Sequence, residues 1–183
     1  MTHLEFVEHT GSTNEDLIAR TTIPTSCREG DWLVAERQTA GRGRSGRLWD
    51  SQTGNFHGSV LVRIRADDHP PQTLALVVAV SLFEAIMALP DAPRGLAIKW
   101  PNDLLLGGAK IGGILLERNG DWVVCGVGCN LAWAPPLTDR RADSLADHGC
   151  LVGPRAFAEI LSDSLLRELE RWRQTPLSLY LAR

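Results

Sequence analysis

The segment AGRGRSGRLWD, Ala40 to Asp50, decides what kind of fold this chain can adopt. Gly41, Gly43 and Gly46 satisfy G-x-G-x-x-G. A dinucleotide-binding unit needs a strand before that pattern and a helix after it. The strand is present in DWLVAERQT, Asp31 to Thr39. The helix is not, because RLWDSQTGN is turn-rich and lacks a helical period. The chain then enters another strand, NFHGSVLVRIR, Asn55 to Arg65. A Walker loop fails as well. Gly41 and Gly46 have the right gap, but Arg47 and Leu48 stand where Lys and Ser/Thr are needed, and leucine has no hydroxyl for Mg²⁺. A kinase glycine loop also lies between strands, yet no H-R-D or D-F-G follows and the chain is too short. What remains is a glycine-rich loop between two strands. Glycines let the backbone approach a ligand, and the forks of Arg42, Arg44 and Arg47 match phosphate or carboxylate. A solvated basic loop, or one that touches RNA, is the competing reading.

The rest of the chain reads as strands and helices in one α+β domain covering residues 1–183. LEFVEHT, Leu4 to Thr10, is a strand. Ser12 with Glu15 forms a capping box, which starts a helix near Thr13. The apolar run Gln72 to Leu89 contains Glu84 and is bracketed by Pro70, Pro71 and Pro90. A membrane span needs about 20 apolar residues, so this is a buried core helix. Beyond Pro93, LAIKW leads into a segment where Gly107-Gly108 and Asn119-Gly120 are two-residue turn signals, giving three antiparallel strands. Trp133 to Gly149 is a polar loop with room for one helical turn. From Pro154, PRAFAEILSDSLLRELERWRQ carries apolar residues at helical spacing, and a short tail follows.

Composition narrows the function classes. The 183 residues are 44% hydrophobic and 22% charged, with net charge −3. That is a soluble globular protein, without the basic excess of a general nucleic-acid binder. The only lysines are Lys99 and Lys110. The four cysteines form no C-x-x-C pair, and Cys125 and Cys129 fall on one face of a strand. Reduced thiols in a cytoplasm are expected. The five histidines lack metal-ligand spacing. His57 stands out as a polar residue in an otherwise buried strand.

A turn at Gly107-Gly108 pairs Leu106 with Ala109, Leu105 with Lys110 and Asp103 with Gly112. Asp103 and Lys110 then share a sheet face. They could hold a metal-bound phosphate, or simply form a salt bridge at a hairpin end. Gly112 and Gly113 leave that face bare, a mark of close ligand approach. Regular pairing about Asn119-Gly120 puts Cys129, not Asn130, beside Lys110. Bringing Asn130 to the site requires a bulge near Gly126 or Gly128.

Five motifs now stand in order: STN at Ser12 to Asn14, QTAGRGRSGRLW from Gln38, KWPNDL from Lys99, KIGGILLE from Lys110 and GVGCNL from Gly126. Together they resemble the biotin–protein ligases over residues 4 to 132. The resemblance implies a fold like the catalytic core of class II aminoacyl-tRNA synthetases, a mixed, mostly antiparallel sheet with packed helices. It implies a two-step reaction using biotin, ATP and Mg²⁺, through biotinyl-5′-adenylate to a lysine of a biotin carboxyl carrier domain. Lys110 and Arg44 would be catalytic. Ser12, Thr13, Asn14, Gln38, Gly41, Arg42, Gly43, Arg44, Lys110 and Gly113 would meet biotin. Arg44, Arg47, Trp49, Asn102, Asp103, Lys110 and Asn130 would meet ATP, with Asp103 at the metal. Trp49 would stack on or beside adenine, with a core tryptophan as the alternative. Lys99 and Trp100 are read as support.

Many relatives carry an N-terminal DNA-binding domain and a C-terminal β-barrel of roughly fifty residues, a usual size for such modules. Here the first strand starts almost at Met1 and a helix with a short tail ends the chain. The expectation is no DNA partner, no membrane association and no repressor activity. How fully the ATP site and acceptor surface are built is left open, as is a homodimer. The competing functions are a lipoate or octanoyl ligase or transferase of related fold and a non-catalytic biotin or adenylate sensor. The GRGRSGR loop and KWPND favour biotin, and Lys110 speaks against a mere sensor.

Overall fold

The computed structural model describes residues 3–23, 25–137 and 140–182. Every site residue named above lies within them; Thr138, Asp139 and Arg183 do not. The elements run β1 (Leu4–Thr10), α1 (Thr13–Thr21), β2 (Trp32–Gln38), β3 (Phe56–Arg63), α2 (Leu74–Met87), β4 (Leu96–Lys99), β5 (Asp103–Leu106), β6 (Ala109–Asn119), β7 (Trp122–Cys129), α3 (Pro154–Gln174) and α4 (Leu177–Leu181). One seven-stranded sheet has the order β1-β2-β3-β7-β6-β5-β4. Among the described strands only β1 and β2 pair in parallel, with α1 as their crossover; the other strand neighbours are antiparallel. The α+β reading and the mostly antiparallel sheet therefore hold.

Each helix starts for a local reason. Ser12 is the N-cap of α1 and its side chain accepts from the Glu15 backbone. The other half of the expected capping box is absent, because the Glu15 carboxylate pairs with Arg42 at 2.8 Å instead. Helix α2 follows a single 3₁₀ turn at Pro71–Thr73, and α3 begins at Pro154. Proline suits a first helical turn, where its missing N–H costs nothing. Among the described residues no helix is long and apolar enough to cross a membrane.

The two faces of the sheet differ in chemistry. One packs on α2 and α3 through Phe56, Val60, Leu82, Ile86, Ile111, Val127, Phe157, Leu161 and Trp172, all buried. Burying such a leucine is worth about 2–5 kcal/mol, the cost of cutting it back to alanine. The other face carries α1 over a smaller cluster of Leu17, Leu33, Leu61 and Val124. Beyond α1 this second face is open.

Three readings need correction. Leu96–Lys99 is a strand of its own, paired with β5, so four strands follow Pro93 rather than three. The β6–β7 turn lies one residue later than expected, with Asn119 opposite Trp122 and Gly120 at φ +59°. Glycine supplies that left-handed conformation without steric cost. The new register puts Cys129 opposite Gly112, so no bulge in β7 is required. The bulge lies instead in β6: Leu105 faces Lys110, but Leu104 faces Gly112 and Asp103 faces Gly113, leaving Ile111 as the extra residue. Its carbonyl accepts from the Asn130 N–H at 2.7 Å, and its side chain is fully buried. The bulge splits the two glycines: an added Cβ at Gly112 would meet Leu82 in the core, and one at Gly113 would meet Lys110 and Trp49.

Candidate active site

Alternation along β3 and β7 builds the site. Residues 57, 59 and 61 of β3 point away from the main core, as do 124, 126 and 128 of β7. The strands pair so that His57 faces Gly128 and Ser59 faces Gly126. Each glycine leaves a gap beside a polar neighbour, and a side chain from elsewhere fills it. Asn14 lies over Gly126, whose added Cβ would stand 3.0 Å from the amide carbon and closer still to its oxygen. Asn14 Oδ1 accepts from the Ser59 hydroxyl at 2.5 Å, and its Nδ2 donates to Glu117 at 2.7 Å. Trp49 lies over Gly128 and, across the register, against Gly113. Its indole Nε1–H donates to His57 Nδ1 at 3.3 Å. Burial drives the His57 pKa below the usual imidazole value, against the opposing pull of the Gln52 carbonyl and Asp50. The ring is neutral at physiological pH.

At one end of this floor stands a polar cluster. Gln38 Oε1 accepts from the Thr13 backbone at 2.8 Å and from its hydroxyl at 3.0 Å. The Thr13 and Ser59 hydroxyls lie 2.6 Å apart. Ser12 both caps α1 and lines the cavity. At the other end is a charged cluster. Lys110 Nζ donates to Asp103 at 2.6 Å, as the hairpin reading expected. Arg140, from the loop after β7, reaches the second Asp103 oxygen at 3.5 Å. That loop is docked on Lys110 itself: the Lys110 N–H donates to the Arg141 carbonyl, and its carbonyl accepts from Asp143. Asn130 is held by the same segment through the Asp143 carbonyl.

The glycine-arginine stretch closes over both clusters. Trp49 N–H donates to the Gly41 carbonyl at 2.9 Å and Gly43 N–H to that of Arg47 at 2.7 Å, so the loop is a tight excursion. Ser45 and Gly46 take positive φ at its tip. Arg42 pairs with Glu15, while Arg44 Nη1 donates to Asn102 Oδ1 at 3.1 Å. Asn102 is in turn tied to Ile114 by two hydrogen bonds. Arg44 and Lys110 thus rest on adjacent residues, Asn102 and Asp103.

The result is a cavity of about 750 Å³. Ser12, Thr13, Asn14, Gln38, Arg42, Gly43, Arg44, Arg47, Trp49, Asn102, Asp103, Lys110, Gly113 and Asn130 all line it. Gly41 is the exception: an added Cβ there would stand 3.0 Å from the Trp49 carbonyl and 3.1 Å from Gln38, so this glycine lets the loop close on its own base. Lys99 and the exposed Trp100 stay outside the cavity lining. The sequence reading missed Ser59 and Arg140. Ser59 could have been found as a polar residue at a buried strand position. Arg140 had no local signal, because only the docking of its loop brings it to Asp103.

Among the described residues, no group of three or more His, Cys, Asp or Glu side chains could hold a metal. The four cysteines are free. Burial pushes the Cys125 thiol up to about 12 and raises Cys129 and Cys150 as well, which leaves these three inert.

A floor of strand glycines, a hydroxyl-amide cluster at one end and paired cations at the other suit a ligand that is neutral and polar at one end and anionic at the other. Known proteins bear on this geometry. The chain is 41% identical over 180 residues to a biotin–[acetyl-CoA-carboxylase] ligase of Mycobacterium tuberculosis, covering 93% of this chain and 65% of that relative's length. It superposes with TM-score 0.83 on the biotin protein ligase of Aquifex aeolicus in complex with biotin and ATP, at 28% identity over 96% of this chain and 73% of that one. The biotin protein ligase of Leishmania major in complex with biotinyl-5-AMP gives 0.79 at 31% identity, over 94% and 76%. Residues 7–130, which carry all the strands and glycines that form the floor, match the Biotin/lipoate A/B protein ligase family, and to that family the chain belongs.

Proposed function

We propose that this chain is an ATP-dependent biotin–protein ligase. The carrying observation is the convergence of Arg44 and Lys110 on one cavity, across from the Thr13–Gln38–Ser59 cluster. The hydroxyls and amides at that end suit the ureido ring of biotin, which needs directed hydrogen bonds. The acid group then points toward the cations. A carboxylate oxygen attacks the α-phosphorus of ATP, the bond to the bridging oxygen of the β-phosphate breaks, and pyrophosphate leaves. Two anions must meet, so the protein's work is positioning and charge neutralisation. An ammonium has three donors. Lys110 spends one on Asp103, which aims the others at the phosphoryl and carboxylate oxygens. Arg44 neutralises the same oxygens from the loop side, and Arg47 meets the triphosphate. In the second step a carrier lysine amine attacks the carbonyl, AMP leaves and a proton is released.

Magnesium enters with the triphosphate as part of the substrate. Asp103 and Asp50 are the acidic residues lining the cavity among those described. Both Asp103 oxygens already face cations. Asp103 therefore fits a single contact to a phosphate-borne ion, which keeps mostly water and phosphate oxygens around it. The partner is a biotin carboxyl carrier domain, and four unpaired cysteines suit a reducing cytoplasm.

The test is the purified chain with ATP, Mg²⁺, biotin and an apo carrier domain, read as mass gained on the carrier lysine. Lipoate and octanoate are run in parallel. An increment from biotin alone supports the assignment. An increment only from lipoate moves the chain to the lipoate branch of its family. If none of the acids drives pyrophosphate release, the chain is a binding protein.

A further inference from the structure

His57 stands on the same sheet face as the site, behind Trp49 and outside the cavity lining, and takes no part in the reaction as proposed. Its surroundings nevertheless specify it closely. The indole N–H of Trp49 can only donate, so His57 Nδ1, 3.3 Å away, must present a lone pair. The ring proton then sits on Nε2, which faces the Gln52 carbonyl at 3.3 Å. Both nitrogens are satisfied by the neutral ring in one tautomer. A doubly protonated ring would set N–H against N–H. Ala35 on β2 and Gly128 on β7 bring no charge to the ring; the Gln52 carbonyl and Asp50 of the loop pull toward the protonated form, and burial outweighs them. Trp49 is thereby fixed at three points: His57 at its nitrogen, Gly128 and Gly113 beneath its ring, and Lys110 Nζ 5.5 Å from the ring centroid.

We propose that His57 is a positioning residue: by accepting the Trp49 indole proton it seats that ring on Gly128 and sets the cavity wall beside Lys110 against which the nucleotide is received. The nucleotide clause rests on the ligase reading; the seating of the ring does not. Its logic follows the neighbouring pair, where Ser59 seats Asn14 over Gly126. One β3 residue per β7 glycine orients the side chain that fills the gap.

The test begins with the unliganded chain labelled at its indole nitrogens. The six tryptophans give separate cross-peaks, and W49F identifies the one that matters. In His57→Leu that peak moves; in His57→Gln, whose amide oxygen restores an acceptor, it returns toward its native position. On acidification of the native chain the peak shifts as His57 protonates, below the ordinary imidazole range. In the ligase assay, His57→Leu raises the KM for ATP roughly fivefold, the worth of one neutral hydrogen bond, and leaves kcat within about twofold. In the W49F background it adds nothing further. A Trp49 peak unmoved in His57→Leu, or effects of the two substitutions that multiply, overturns the proposal. Should His57→Leu not fold, a native Trp49 peak that never shifts with pH while the chain stays folded overturns it equally. A peak that responds as expected in a chain that releases no pyrophosphate upholds the seating and sinks the ligase reading alone.

Discussion

Gly128→Ala tests the glycine floor directly. The new Cβ would lie 2.7 Å from Trp49 Nε1 and closer still to two ring carbons. Ordinary contact needs about 3.5 Å, so the indole must retreat by about 1 Å. Backbone strain plays no part, since Gly128 is not among the positive-φ glycines. The ring is free to retreat because it borders the cavity. The 3.3 Å bond to His57 is already long and does not survive the shift. Overpacking at the low end of its range costs about 1 kcal/mol, and the lost hydrogen bond about another. For a domain of this size that lowers Tm by about 4–8 °C. The chain stays folded at 25 °C, but the wall beside Lys110 has moved by about 1 Å, a displacement that costs on the order of 10²-fold when reacting groups must be held in line. The assay is biotin-dependent pyrophosphate release against ATP concentration, with calorimetric titration of biotin alone alongside. kcat/KM for ATP falls about 10²-fold, while biotin affinity, which the ligase reading assigns to Thr13, Gln38 and Ser59, changes little. Gly112→Ala is the control on the opposite face. Its Cβ would stand 3.2 Å from Leu82 and 3.3 Å from the Gly128 carbonyl, with Trp49 not among its nearest neighbours, so it loses stability and keeps its ATP kinetics. A folded Gly128→Ala chain with native ATP dependence, or a Gly112→Ala chain equally impaired toward ATP, refutes the reasoning.

Lys110→Met removes the cation that faces the developing phosphoryl charge; adenylate formation slows by on the order of 10²–10³-fold, measured in single-turnover quench-flow, with the circular dichroism spectrum retained. Arg44→Gly cuts the loop from Asn102, so released adenylate rises relative to transferred biotin and promiscuous labelling appears on a bystander protein; an unchanged ratio of released to transferred product counts against the loop as a shield. His57 carries a pH prediction. Its folded pKa lies below the unfolded value because burial disfavours the charged ring, so the unfolded chain binds the proton first. Stability is full above the unfolded value of about 6.5 and declines as pH falls through it toward the lower folded value. Urea midpoints measured from pH 7.5 downward show that decline, and His57→Gln flattens it.

Local pattern was enough for most of the elements. The bounds of β1 and α3, the cap at Ser12 and the buried helix after Pro71 all follow from periodicity, capping and proline placement, which depend on a few neighbouring residues. The pairing of Lys110 with Asp103 was legible for the same reason, since a two-glycine turn fixes the residues nearest to it. Asp103 against Gly113 was not, because a bulge depends on where Ile111 finds a hydrogen-bond partner, and that partner is Asn130, 19 positions along the chain.

The sequence by itself named the residues on which the ligase reading rests: the arginine loop, the lysine hairpin, the glycines at alternate strand positions and the hydroxyls at the start of α1. Only the tertiary structure decided that these meet. After β3 the chain crosses with α2 to the far edge of the sheet and returns through β4, β5 and β6, so that β7 closes against β3. That long-range pairing sets Ser59 beside Gly126 and His57 beside Gly128, and gives Asn14 and Trp49 their seats. The physical reason is that strand neighbours are chosen by burying both sheet faces at once, under α2 and α3 on one side and α1 on the other, a condition no single stretch of sequence contains.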